Sequence, residues 1–149
     1  MAPKYKLLSL YGLLLTALLS GCALPTRVDK PNMPALSPAA LAGTEWVAFA
    51  IDGVPEVTTP KPRLHWVSAD QVTGTGGCNS FRGSALLGGG TLRLGPLAST
   101  GRACLSMPGS QEDLYFKALE LTHKARLERD QLLLLDDAGN VLARFLKAN

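Results

Sequence analysis

The chain has 149 residues, close to half of them hydrophobic, with 15 basic against 12 acidic side chains. This length suits one domain of ordinary size. The near balance of charge, with no stretch that gathers Lys and Arg among aromatics, excludes nucleic acid as a partner.

Lys4 and Lys6 precede a largely apolar run, Leu7 to Leu19, which ends in Leu19-Ser20-Gly21-Cys22. The run is shorter than the ~20 residues that a spanning helix needs. A charged start, a short apolar core and small residues at the cut have the form of a secretory signal. The tetrapeptide resembles the bacterial lipobox, which implies cleavage before Cys22 and a thioether-linked diacylglycerol on its thiol, with palmitate among the acyl chains. An ordinary secretory signal with a chance cysteine is the competing account. The position of Cys22, where the apolar run ends, argues against it. At about 0.8 kcal/mol per buried CH₂, one chain anchors marginally and several anchor firmly. The lipid bilayer is thus an expected partner through Cys22. Ala23 stands where Asp would mark inner-membrane retention. The resemblance therefore implies the periplasmic face of the outer membrane in a Gram-negative source, or the outer face of the plasma membrane in a Gram-positive one. Without Lys4 and Lys6, residues 22–149 carry 13 basic and 12 acidic side chains.

The expected organisation is a signal peptide (1–21), a lipidated Cys with a Pro-rich tether (22–40) and a folded domain (41–149). Ala23 to Ala40 holds Pro25, Pro31, Pro34 and Pro38 and few large apolar residues. It cannot bury enough surface to offset its ordering entropy. As a flexible coil it would span roughly 20–25 Å.

Strand patterns dominate the domain. Thr44 to Ile51 is apolar on both faces and ends at the turn pair Asp52-Gly53, which suits a central strand. Arg63 to Val67 alternates, with Leu64 and Trp66 on one face. Val72 to Thr75 is the returning strand. Phe81 to Leu87 and Thr91 to Leu94 flank Gly88-Gly89-Gly90, which permits a tight hairpin. Ser110 reads as a helix N-cap with Asp113 completing a capping box. Leu114, Ala118 and Leu121 then recur at helical spacing, with Tyr115 and Leu119 beside them and Glu112, Lys117 and Glu120 facing water. Lys124 to Leu127, Leu132 to Leu135 and Val141 to Leu146 return to strands, and the four-leucine run suggests cover on both faces. The expected class is α+β: one small antiparallel β-rich sheet, open or partly closed into a barrel, with one packed helix.

Once Cys22 is acylated, Cys78 and Cys104 remain. In an oxidising compartment paired thiols become disulfides, and this bridge would contribute about 3 kcal/mol in the chain-entropy model. Two separate buried thiols, or a reactive thiol near Arg102, are the alternatives. Gly74-Thr75-Gly76-Gly77-Cys78-Asn79 superficially suggests a phosphate loop, but no Lys-Ser or Lys-Thr follows. A bulged or sharply bent strand is the expectation, with Asn79 bonding local backbone. His65 and His123 are isolated, and Asp136 and Asp137 fall in a turn. Zinc, redox and nucleophile-elbow motifs are absent from the sequence. The expectation is therefore no catalytic residue, no metal and no cofactor.

Laid in order, these segments resemble META domains, the HslJ-like family. Leu41-Ala42-Gly43-Thr44-Glu45-Trp46 looks like the family's opening Leu-x-Gly-Thr-x-Trp. Gly77-Cys78-Asn79-Ser80-Phe81-Arg82-Gly83 matches its Gly-Cys-Asn-x-aromatic-x-Gly core, and Ala98-Ser99-Thr100 with Ala103-Cys104 its second signature. Leu105 stands where many relatives have Pro. The motif residues are thus Gly77, Cys78, Asn79, Gly83, Thr100 and Cys104. The resemblance implies a small β-rich domain on envelope or secreted proteins, associated with heat or antibiotic stress, and transfers no catalytic residue.

The expected function is a membrane-anchored, non-enzymatic envelope lipoprotein that binds an envelope protein or small ligand in a stress response. An inhibitor or accessory module of a periplasmic hydrolase is the alternative. A thiol enzyme built on Cys78, Asn79 and His65 is the third.

Overall fold

The computed structural model describes residues 36–102 and 108–149. Cys22, Cys104 and Leu105 lie outside them, as do the signal segment and most of the tether. Chain order is α1 (Pro38–Leu41), β1 (Glu45–Ile51), β2 (Arg63–Trp66), β3 (Gln71–Thr75), β4 (Ser80–Gly88), β5 (Thr91–Ser99), α2 (Gln111–Glu120), β6 (Lys124–Glu128), β7 (Gln131–Leu135) and β8 (Val141–Lys147).

Among the described residues the eight strands make one sheet, ordered β5-β4-β3-β2-β1-β8-β7-β6, and every pairing is antiparallel. The sheet curls into a half-barrel. Leu92 N–H on edge strand β5 donates to His123 O just before the other edge strand, at 2.7 Å. With one ten-residue helix and one four-residue helix beside eight strands, the antiparallel, β-rich sheet is as expected, but the fold is mostly β, less α+β than the expected class.

The opening Leu-x-Gly-Thr-x-Trp segment is held by a set of short bonds to its own residues and to β2. Ser37 caps α1, with Pro38 in its first turn. Leu41 is fully buried. Gly43 turns the chain at φ 72°, and its N–H meets Trp66 O at 2.7 Å. The Thr44 hydroxyl donates to Leu41 O (2.5 Å) and accepts from the Trp46 indole N–H (2.8 Å). Strand β1 is central, as its two-sided apolar pattern suggested. Its register shifts between Ala48 and Ala50, so the inward series runs Trp46, Ala48, then Ile51. A bulge, with one residue extra, accounts for that break in alternation. All four of Leu132 to Leu135 are buried. Leu132 and Leu134 belong to the main core, opposite Phe145 and Ala143 of β8. Strand β5 runs five residues past the expected Leu94, through Pro96. Proline is tolerated in an edge strand, where its missing N–H leaves no ladder bond unmade.

Helix α2 lies over the core with Tyr115, Ala118 and Leu119 inward, while Leu121 is 45 % exposed. The inward stripe is therefore rotated from the expected Leu114–Ala118–Leu121 face. Ser110 caps it through Asp113 N–H (3.3 Å), while the Asp113 carboxylate accepts from Gly109 N–H (2.8 Å). Tyr115 stands among Phe81, Phe116 and Phe145 with ring centroids 5.8–6.2 Å away, the tilted and edge-on geometry aromatic pairs prefer. Phe81 lies over Gly74 of β3. A Cβ on Gly74 would come within 2.6 Å of the Phe81 ring and 2.1 Å of Arg63 O. No helix of the described residues is long and apolar enough to cross a membrane.

Gly74→Ala should therefore lower stability by about 1–3 kcal/mol through overpacking, read from the midpoint of urea unfolding. Gly88→Ala, whose added Cβ meets nothing within 4 Å, should change it by less than about 0.5 kcal/mol. Equal effects at the two positions would contradict the packing of Phe81 on Gly74.

Candidate functional site: the Gly-Cys-Asn turn and Glu112

Strands β3 and β4 pair up to Thr75 opposite Ser80, so Gly76 to Asn79 form a four-residue turn rather than the bent strand expected. Gly76 N–H closes it onto Asn79 O at 2.8 Å. Gly77 takes φ 125°, a region closed to most side chains, and donates to Thr75 Oγ1 at 3.1 Å.

The turn holds a carboxylate. Glu112 Oε1 accepts from Cys78 N–H (3.1 Å) and Asn79 N–H (2.6 Å), and its Oε2 accepts from Asn79 Nδ2 (2.9 Å). Successive N–H groups of a tight turn form a concavity that favours an anion. Here the anion comes from the chain itself. Glu112 is only 7 % exposed, contrary to the expectation that it faces water. It lies three residues before Tyr115, on the inward stripe of α2. A Cβ on Gly76 would sit 2.7 Å from Glu112 Cγ and 2.9 Å from the Phe116 ring. Gly76 is thus the gap through which the helix reaches the turn.

Asn79 extends the network. Its Oδ1 accepts from Thr100 Oγ1 (3.1 Å) and Arg102 N–H (2.9 Å). These partners are distant in sequence, not the local backbone expected. Thr100 also accepts from Ser80 N–H through its hydroxyl (3.2 Å) and donates its N–H to Ser80 O (2.9 Å). Asn79 and Glu112, both buried, therefore join the β3–β4 turn, the end of β5 and α2. Gly83 serves a different contact: a Cβ there would lie 2.6 Å from Pro96 O and from Leu97 Cδ2. Cys78 is disulfide-bonded, and its partner is outside the described residues.

His65 lies on β2 in register with Glu45 and Thr73 and has no hydrogen bond to Asn79, whose side-chain partners are Glu112, Thr100 and Arg102. Among the described residues no three His, Cys, Asp or Glu side chains are grouped to hold a metal. Asp136 is held below its usual carboxylate range by the side chain and N–H of Asn140, in the expected turn. Burial pushes the Tyr115 phenol far above its ordinary 10.0, and its hydroxyl donates to Arg63 O at 3.0 Å. Two further links escaped the sequence reading: Gln111 accepts from Thr58 N–H (2.7 Å) and donates to Thr58 O (3.0 Å), tying the β1–β2 loop to α2.

The META domain family model matches residues 39–149. The chain belongs to the META domain family. Among solved structures, a protein from Burkholderia xenovorans is 27 % identical, with a TM-score of 0.57 over 85 % of this chain and 99 % of its own. A second solution structure is 22 % identical, with a TM-score of 0.57, covering 74 % and 94 %. A DUF4847 family protein from Bacteroides vulgatus ATCC 8482, at 13 % identity and a TM-score of 0.53 over 71 % and 93 %, shares the fold. No curated protein matches the chain significantly. Of the motif residues singled out in the sequence, Gly77, Asn79 and Thr100 make hydrogen bonds within this domain, and Gly83 lies close against Pro96 and Leu97 of β5.

Glu112→Gln should cost about 1–3 kcal/mol of stability, since it weakens charge-assisted bonds and turns an amide N–H₂ toward donors. Glu120→Gln, on the exposed face, should be near neutral in the same urea titration. Tyr115 should keep its proton until the domain unfolds. Stability is then untouched below pH ~10 and falls as pH rises above it, because only the unfolded chain releases that proton. The difference in absorbance at 295 nm between the wild type and Tyr115→Phe should accordingly stay flat until alkaline unfolding begins.

Proposed function

We propose that this META protein is an envelope lipoprotein, cleaved before Cys22, acylated there, and holding its domain off the lipid surface on a proline-rich tether. The observation that carries this reading is Leu19-Ser20-Gly21-Cys22 at the end of a short apolar run that follows Lys4 and Lys6. Ala23 favours the periplasmic face of the outer membrane in a Gram-negative cell. The oxidised state of Cys78 fits an oxidising compartment. Cys104 is its proposed partner: Arg102 N–H is bonded to Asn79 Oδ1, which brings the chain two residues before Cys104 beside the residue after Cys78.

The domain acts in this reading as a non-enzymatic binding module in envelope stress. Supporting it, the Asn79 amide and the Thr100 hydroxyl are engaged in bonds within the domain, and Cys78 in its disulfide has no free thiol to act as nucleophile.

Cys22→Ala should abolish palmitate labelling and leave unprocessed precursor, followed by gel mobility and membrane fractionation. A variant that is processed and localised like the wild type would sink the anchor. Cys78 and Cys104 should resist alkylation until a reductant is added, and rapid labelling without reductant would overturn the bridge.

A further inference from the structure

The outer face of β3, β4 and β5 carries an open groove of about 390 Å³. The registry across it is definite. Thr73 faces Arg82, and Arg82 faces Ala98, so these three form one row. Ser80 and Thr100 form the next, joined through Ser80 N–H on Thr100 Oγ1. All five line the groove. Phe81 and Ser99 complete the lining, although by alternation the Phe81 ring is directed to the opposite face, against Tyr115 and Phe116.

The polar groups of this groove are unequally engaged. Thr100 is bonded to Asn79 and Ser80. The Arg82 guanidinium and the hydroxyls of Thr73 and Ser80 have no partner among the described residues. The two ion pairs of the described residues, Arg63–Glu45 and Arg126–Glu128, both involve other arginines. No carboxylate lines the groove. One planar cation with five donors, two free hydroxyls and the methyl of Ala98 thus converge on one concavity. An arginine fork matches a carboxylate or phosphate, hydroxyls both donate and accept, and an apolar patch suits the C–H face of a sugar ring. The volume falls in the range of small-ligand sites and is ample for one sugar unit.

We infer that this groove binds an anionic monosaccharide unit, with Arg82 on its carboxylate or phosphate and Thr73 and Ser80 on its ring hydroxyls. This goes beyond the anchored-module reading, because the groove belongs to the folded domain whether or not Cys22 carries lipid. The two tests fail separately.

The test is calorimetric titration of the full chain in non-ionic detergent with glucuronate, glucose 6-phosphate, glucose and inorganic phosphate, with amide shifts recorded alongside. Glucuronate and glucose 6-phosphate should bind saturably and shift Thr73, Ser80, Arg82 and Ala98. Glucose and inorganic phosphate should each bind at least about 10-fold more weakly, for want of the charge or the ring. Arg82→Gln, an exposed change, should weaken the anionic sugars by about 10-fold or more, while Arg93→Gln on β5 outside the groove should leave them unchanged. No saturation with either anionic sugar, inorganic phosphate binding as tightly as glucose 6-phosphate, or an unaffected Arg82→Gln would each overturn the assignment.

Discussion

The Glu112 carboxylate in the Gly-Cys-Asn turn is the constraint around which the domain is arranged. A buried carboxylate is costly unless its oxygens are satisfied. Here three N–H groups supply that, and two of them are backbone donors fixed by the turn. The turn in turn needs Gly76 to admit the helix and Gly77 to take a positive φ. The helix must present Glu112 and Tyr115 on one stripe, so that the same face that meets the turn also packs into the core of the sheet. Asn79 then binds the end of β5 from its other side. Removing the Glu112 carboxylate or the Asn79 amide leaves buried partners unsatisfied, which is more expensive than the bond itself.

Much of the fold was legible because most of its strands are two-faced in simple ways. Leu64 and Trp66 alternate with His65, and the pattern places them correctly inside. The Leu132–Leu135 run was read as covered on both faces, and all four are buried. Three features were not legible for separate reasons. The bulge between Ala48 and Ala50 hides in a run where every residue is apolar. Gly95-Pro96 looks like a break, yet an edge strand continues through it. The helix register was misjudged because Leu121, at the C-terminal end, scores as core by type, while the chain leaves it half-exposed and uses Glu112, at the N-terminal end, as an inward residue of the stripe.

The site shows the same limit. Its glycines, Cys78, Asn79 and Thr100 stood out in the sequence, and the structure joins Asn79 and Thr100 directly. Their common partner did not stand out. A glutamate in the first turn of a helix ordinarily faces water and complements the dipole. The available signal was a pairing across 33 residues: a glycine-flanked turn rich in free N–H groups and an acid three residues before a buried tyrosine. Each half is unremarkable alone. The turn that superficially suggested a phosphate loop does cradle an anion, and that anion is part of the protein.

The central position of β1 has a consequence for the order in which the molecule can form. Trp46 pairs with Lys147, and Ile51 with Ala143. The first strand of the sheet therefore has one neighbour, β2, within reach early in synthesis, and acquires the other only with the last seven-residue strand. Contacts of such sequence separation close slowly. Until the C-terminal residues leave the ribosome, Ala48 lacks Phe145 opposite it and the half-barrel has no middle.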